Sequence, residues 1–237
     1  MANSYFKFKQ FSITQENSAM KVGTDGVLLG AAVNCTKTFN ILDIGTGTGL
    51  IAIMLAQRCN ANIDAIEIDT EAYTEALLNV SNCKWTDRIS IHHSSFQEFA
   101  KKTKPRYDLI ISNPPFFSNS LNTPKESRTL ARHNDSLTAN DLFKGVKKLL
   151  SENGSFWIII PTLSFEEYKN EASLFDFFCN NILWVKPTPE KAPKRVIAEF
   201  SKNNCKLIEK ELIVESGGRH IYSEEYKALT KDFYLKF

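Results

Sequence analysis

The run Asp43-Ile44-Gly45-Thr46-Gly47-Thr48-Gly49-Leu50 constrains the fold of this chain more than any other segment. Its glycines stand between a short β-rich stretch, Phe39 to Ile44, and a stretch with helical apolar spacing. Leu50, Ile51, Ile53, Met54 and Leu55 carry that spacing, which extends to Arg58. Glycine here lets the backbone turn tightly from strand to helix and come close to a ligand. The alternation continues along the chain. Asn62 to Ile68 reads as a second strand, and Glu71 to Cys83 as a helix with Ala72, Ala76, Leu77 and Val80 on one side. Arg88 to His92 is a third strand, Phe96 to Lys101 a short helix, and Tyr107 to Ser112 a fourth strand, apolar enough for a sheet centre. Leu142, Phe143, Val146, Leu149 and Leu150 mark a helix capped by Thr138 or Asn140, and Asn153-Gly154 is expected to turn the chain into a fifth strand, Ser155 to Ile160. Repeated strand–helix units predict an α/β fold, a mostly parallel sheet covered by helices with right-handed crossovers.

The ends follow other patterns. Ile182 to Val185, Val196 to Phe200 and Leu207 to Val214 look like strands. Pro187, Pro189 and Pro193 forbid regular structure between the first two and suggest a protruding loop. Ser223-Glu224-Glu225 is expected to cap a final helix running towards Phe233. The first forty residues mix Phe, Ser and Thr and yield no firm assignment.

With 237 residues, 43% hydrophobic and 24% charged, the chain has the make-up of a globular protein, which excludes a disordered chain, a fibrous repeat and a membrane bundle. No run of 18 uncharged apolar residues predicts a membrane span, and Met1 to Gln10 does not read as a secretory signal. Cys35, Cys59, Cys83, Cys179 and Cys205 form no C-x-x-C pair, so neither a metal site nor a disulfide framework is expected. A cytoplasmic monomer with reduced thiols and no membrane partner is the expectation. The net charge of +2 conceals polarity: residues 60–100 carry a net of −5, residues 101–148 a net of +6, and residues 186–206 a net of +4. Such a distribution suits a polyanion held on one face, although ordinary solvated lysines would look the same.

Glu67 ends the second strand, 18 residues after Gly49. A carboxylate there has two oxygens for the two hydroxyls of a ribose, so Gly45, Gly47, Gly49 and Glu67 read as a nucleoside-cofactor site. A solvated strand-end acid is the plainer alternative. The spacing is G-x-G-x-G rather than the G-x-G-x-x-G usual for dinucleotides, and Asp43 stands two residues before the first glycine. Negative charge there is unfavourable beside a pyrophosphate. It suits a cofactor bearing an ammonium and a sulfonium, which favours S-adenosylmethionine over NAD.

Asn113-Pro114-Pro115-Phe116 follows the fourth strand, 64 residues after Gly49. The Asn113 side-chain carbonyl and the Pro114 backbone carbonyl can accept hydrogen bonds from one exocyclic NH2 and aim its lone pair at a methyl donor. The prolines stiffen these acceptors, and Phe116 can stack on a base.

These motifs together resemble those of class I S-adenosylmethionine-dependent amino-methyltransferases. Met20-Lys21-Val22-Gly23-Thr24-Asp25-Gly26-Val27-Leu28-Leu29-Gly30 and Ala131-Arg132-His133 narrow the resemblance to the bacterial tRNA1(Val) (adenine-37-N6)-methyltransferases. It runs from about Phe6 to the C-terminus and is strongest over residues 20–160. The resemblance implies a single Rossmann-like domain over residues 1–237, with residues 1–38 packing on the core and closing the cofactor site. It also implies a seven-stranded sheet with antiparallel C-terminal strands, and N6-methylation of a tRNA adenine. Asn113, Pro114 and Phe116 are the expected catalytic residues. Thr24 and Asp25 are expected at the methionine end of the cofactor, Asp25 reading equally well as a turn residue. Many class I enzymes carry an acid after the third strand; here Ser94-Ser95-Phe96 stands there, with Ser95 and Phe96 expected beside the adenine.

Phe117 to Leu130 is long enough for a lid or binding loop. Lys125, Arg128, Arg132 and His133 on that side, and Lys191, Lys194 and Arg195 around the prolines, are the candidate RNA-binding residues. A protein glutamine N5-methyltransferase is the runner-up, since glutamine presents the same amide NH2. Such enzymes usually end the motif in Tyr and carry a separate N-terminal helical domain, for which about 38 residues are too few. A DNA adenine methyltransferase ranks third, lacking a visible sequence-recognition domain. An inert RNA-binding module on the same fold is disfavoured by Asn113 and Glu67, and a dehydrogenase by Asp43 and the loop spacing.

Overall fold

The computed structural model describes residues 3–104, 106–115 and 137–236. An eight-stranded sheet organises them. Its strands are β3 (Asn40–Ile44), β4 (Asn62–Glu67), β5 (Ile89–His93), β6 (Tyr107–Ser112), β7 (Leu150–Pro161), β8 (Phe178–Lys186), β9 (Arg195–Ser201) and β10 (Ile208–Ile213). A separate hairpin pairs β1 (Tyr5–Lys7) with β2 (Ser12–Thr14). The order across the sheet is β10-β8-β9-β7-β6-β3-β4-β5. The order reverses direction at β3, so β3 and β6 are neighbours and the loops leaving them meet at one crevice, where open α/β sheets bind ligands.

The mostly parallel sheet follows the sequence pattern, with three corrections. β10, the strand read at Leu207 to Val214, brings the seven strands implied by the resemblance to eight, and it pairs parallel to β8. Only β9 runs antiparallel, to both β7 and β8. The Asn153-Gly154 pair does not precede the fifth strand but lies within β7, where the register against β6 shifts between Tyr107 and Leu109. A Cβ on Gly154 would fall 2.9 Å from the Tyr107 carbonyl oxygen, so the irregularity requires glycine.

Both sheet faces are covered, which explains the near-continuous apolar runs of the central strands. Alternate residues divide between the faces: Ile41, Leu109 and Ile111 join one core, and Leu42, Ile44 and Ile110 the other. The first core contains buried residues of α1 (Thr24–Ala32), α2 (Leu50–Arg58) and α7 (Glu224–Thr230). α3 (Thr70–Ser81) contributes Val80 to it. The second contains residues of α4 (Phe96–Lys102), α5 (Ala139–Leu149) and α6 (Phe165–Leu174). Thr138 caps α5, its hydroxyl accepting from the Asp141 amide at 3.1 Å, as one of the two expected caps. No helix of the described residues is long and apolar enough to cross a membrane.

The N-terminal segment is built into this body. Phe8, Phe11 and Ile13 are buried in the first core. Asn79 on α3 receives the Thr14 amide at 2.7 Å and donates to the carbonyls of Thr14 and Thr48, both at 2.9 Å. Glu75, one turn earlier, accepts from the amides of Asn17 and Ser18 and from the Ser18 hydroxyl. One buried asparagine thus ties β2 directly to the glycine run.

Candidate active site

The parallel strands bring three groups of residues to one edge of the sheet. The first group lies at β3, β4 and β5. Gly45, Gly47 and Gly49 have φ of 70°, 57° and 83°, left-handed values that oppose any side chain. A Cβ built on Gly45 or Gly47 meets nothing within 4 Å, so the loop presents bare backbone to open space.

Asp43 and Glu67 shape this loop. Asp43 is fully buried, and its Oδ2 accepts from the Thr46 hydroxyl at 2.6 Å. Its Oδ1 is buried without a hydrogen-bond partner among the described residues. Burial pushes the Asp43 carboxyl up to about 7; the Thr46 hydroxyl opposes this and the Glu67 charge adds to it. A buried carboxyl in that state fits a cationic ligand, whose charge would repay its desolvation. Glu67 accepts the Gly47 amide on Oε2 at 2.8 Å, and the amides of Ile68 and Asp69 on Oε1 at 2.8 and 2.9 Å. A carboxylate offers about four acceptor directions. Three of Glu67's are engaged in shaping its own loop, a role its sequence position did not announce.

Ser95 caps α4, accepting the Glu98 amide at 3.2 Å. Phe96 does not project into the crevice. It is 5% exposed and packs on Gly145, where an added Cβ would come within 2.4 Å of the ring. The ring expected beside a cofactor adenine is thus taken up by the core under α4 and α5. Ile68, passed over in the sequence, is 39% exposed and lines a hollow of about 350 Å3 with Ser95, Gln97, Glu98 and Lys101. An apolar residue directly after a strand-end acid was the available signal.

The second group is Asn113 and Pro114, leaving β6 beside β3. Pro114 is buried, and Asn113 is half-buried, its Oδ1 screened from solvent with no partner among the described residues. A buried amide oxygen of this kind costs free energy unless a donor reaches it. Phe116, Lys125, Arg128, Arg132 and His133 lie outside the described residues.

The third group lies at β8 and β9. Thr24, Asp25, Lys194 and Arg195 line a cleft of about 440 Å3. Arg195 Nε lies 2.7 Å from Asp25 Oδ2. Gly26 abuts Leu50, the first residue of α2, so the start of α1 reaches from this cleft to the end of the glycine run. Lys191 is exposed on the connection between β8 and β9, where residues 187–194 form neither helix nor strand. Among the described residues no group of three or more His, Cys, Asp or Glu could hold a metal ion.

Residues 18–180 match the methyltransferase small domain family. The chain is 48% identical to the tRNA1(Val) (adenine(37)-N6)-methyltransferase of Bacteroides thetaiotaomicron, covering 99% of each chain. It is 44% identical to the protein of the same description from Trichodesmium erythraeum, covering both chains fully. The relative from Flavobacterium psychrophilum, again so described, is 47% identical over 98% of this chain and 99% of its own. Among solved structures, a protein from Agrobacterium tumefaciens described as a predicted O-methyltransferase superposes with a TM-score of 0.72 at 18% identity, over 88% of this chain and 96% of that one. A glycopeptide N-methyltransferase complexed with S-adenosylmethionine superposes with a TM-score of 0.57 at 10% identity, over 78% and 96%. These two share the fold.

Proposed function

Because the chain belongs to the methyltransferase small domain family and to the bacterial tRNA1(Val) (adenine(37)-N6)-methyltransferases within it, we propose that it methylates N6 of adenine 37 in tRNA1(Val), with S-adenosylmethionine as donor. The observation that carries this reading is the orphaned, screened Oδ1 of Asn113, one strand away from a bare glycine loop backed by a buried carboxyl, one oxygen of which has no partner among the described residues.

The residues present fit the cofactor. Gly45, Gly47 and Gly49 would lie along it, Asp43 would answer its positive charge, and the remaining acceptor direction of Glu67 would meet a ribose hydroxyl. Ser95 would border the adenine. When bound, S-adenosylmethionine supplies a methyl group already activated by a sulfonium. Asn113 Oδ1 and the Pro114 carbonyl accept hydrogen bonds from the two N–H groups of the exocyclic amine, orient its lone pair and stabilise positive charge developing on nitrogen. Phe116 stacks on the target base. The product nitrogen is acidic enough to lose its proton to water, so no strong base is required. Residues 1–38 complete one domain with the core, held to the glycine loop through Asn79. Lys125, Arg128, Arg132, His133, Lys191, Lys194 and Arg195 form the RNA-facing set.

The test incubates the purified protein with isotope-labelled S-adenosylmethionine and tRNA1(Val), total RNA, DNA or bacterial protein, followed by mass mapping. Label in N6-methyladenosine at position 37 supports the reading. Label confined to DNA or to protein glutamine overturns it.

A further inference from the structure

Asn79, in the last turn of α3, is 2% exposed, and a buried amide costs free energy unless its polar atoms are paired. Its partners are backbone groups from two segments far apart in the chain. Oδ1 accepts the Thr14 amide at 2.7 Å, and the NH2 group donates to the carbonyls of Thr14 and Thr48, both at 2.9 Å. Thr14 offers a donor and an acceptor, the complement of a primary amide, so one of the two amide orientations satisfies β2. That orientation aims an N–H at Thr48. Reversed, the amide would set its oxygen against both carbonyls and its NH2 group against the Thr14 N–H.

Thr48 stands inside the glycine run, between Gly47 and Gly49, and is 5% exposed. The amides of Gly45 and Thr46 donate to the Ile66 carbonyl at 3.0 and 2.9 Å, and the Gly49 amide to the Thr46 carbonyl at 3.0 Å. The Gly47 amide is held by Glu67. These bonds fix the run from β4 and from within itself, whereas Asn79 fixes it from α3. The same helix pins the N-terminal segment. Glu75, one turn before Asn79, accepts the amides of Asn17 and Ser18 at 2.6 and 3.0 Å. Gln15 Oε1 accepts the Val22 amide at 2.7 Å, just ahead of Gly23, the cap of α1.

We propose that Asn79 is a positioning residue for the cofactor. Docking of Thr14 orients its amide, and the oriented amide holds the Thr48 carbonyl so that the glycine run keeps its ligand-binding shape. Docking of the N-terminal segment and binding of the cofactor are then coupled, and the coupling acts equally in both directions. The two states are the docked and the locally detached segment. This rests on the reading of the glycine run as the S-adenosylmethionine site. It gives β2 and the residues after it a part in cofactor affinity that needs no contact with the cofactor.

The test measures S-adenosylhomocysteine binding by calorimetry, and proteolytic cleavage ahead of Thr24 with and without that ligand. The proteins are wild type, Asn79→Leu, Glu75→Gln and the double variant. Leucine keeps the branched shape of asparagine and drops its hydrogen bonds, while Glu75→Gln loosens the segment without touching the run. Saturating ligand should slow cleavage of wild type several-fold. Asn79→Leu should bind about tenfold more weakly, a usual size for coupling between sites, and ligand should no longer slow its cleavage. Glu75→Gln alone should weaken binding by a smaller factor, and should weaken it no further in the Asn79→Leu background. Residues that merely stabilise the fold would give additive losses. The proposal is overturned if ligand leaves cleavage of wild type unchanged, if Asn79→Leu binds as wild type does, or if Glu75→Gln has the same effect in both backgrounds. Should Asn79→Leu not fold, Glu75→Gln decides alone: weaker binding supports the coupling and unchanged binding overturns it. A wild type that binds no S-adenosylhomocysteine removes the cofactor reading itself, and the coupling with it; that result appears before any variant is tested.

Discussion

Arg195 and Asp25, 170 residues apart in the chain, meet with 2.7 Å between guanidinium Nε and carboxylate Oδ2. One was a candidate for the RNA and the other for the cofactor. Their side chains are about one-third exposed, 35% and 28%, so solvent screens the pair only in part. It fastens the start of α1 to the start of β9 at the rim of the cleft. Replacing either residue by alanine should therefore impair tRNA methylation and lower the melting temperature. The two losses should not add: the double variant should fall short of their sum by about 1 kcal/mol. Thermal melts of the four proteins of the cycle measure this.

Glu67→Ala should weaken S-adenosylhomocysteine binding by roughly 1–3 kcal/mol, the usual loss for a charged hydrogen bond. It should also destabilise the free protein, because the amides of Gly47, Ile68 and Asp69 all lose their acceptor. Calorimetry with the ligand and melts without it separate the two effects. An unchanged melting temperature would show that Glu67 does not organise its loop.

Asn113→Ala should lower turnover about 10²–10³-fold, the loss expected on removing one preorganised charge-stabilising group. Affinity for S-adenosylhomocysteine should be nearly constant. A parallel loss of ligand affinity would make Asn113 a structural residue.

Asp43 predicts a pH dependence. Burial raises its carboxyl from an ordinary value of 3.8 to about 7, so between these values the folded protein binds more protons than the unfolded chain. Its contribution to stability is full below about 4, falls as pH rises towards about 7, and is flat above. Asp43→Asn should remove this decline from a denaturant-measured stability profile. A cationic ligand favours the ionised form, so S-adenosylmethionine affinity should rise with pH across the same window, and less so in Asp43→Asn.

Glu75 works in the opposite sense. Burial disfavours its charge, but the amides of Asn17 and Ser18 and the Ser18 hydroxyl outweigh this and hold its carboxyl below 4.5. Its contribution is present above that value and lost as pH falls through the depressed one. Glu75→Gln should loosen the N-terminal segment near neutral pH, read as faster proteolysis ahead of Thr24 with the core intact.

The sequence alone determined the order of the strands and helices from β3 to β7, the glycine run and the Asn113-Pro114 step. Those signals are local, carried by period-two and period-3.6 patterns and by glycines needing left-handed backbone. Helix α1 escaped it because Gly26 and Gly30 argue against a helix locally. Tertiary packing demands them: a Cβ at Gly30 would sit 2.8 Å from the Met54 sulfur, and one at Gly26 3.1 Å from Leu50. Helix α6 escaped it because only Phe165 and Ala172 are buried, too few to show a stripe. The inward turn of Phe96, the triple engagement of Glu67 and the Asp25–Arg195 pair were likewise decided only in three dimensions. Each depends on what lies across a sheet or helix interface. Only the strand order β6-β3-β4-β5 sets the glycine loop, Glu67 and the acceptor amide side by side, because it makes neighbours of segments far apart in the chain.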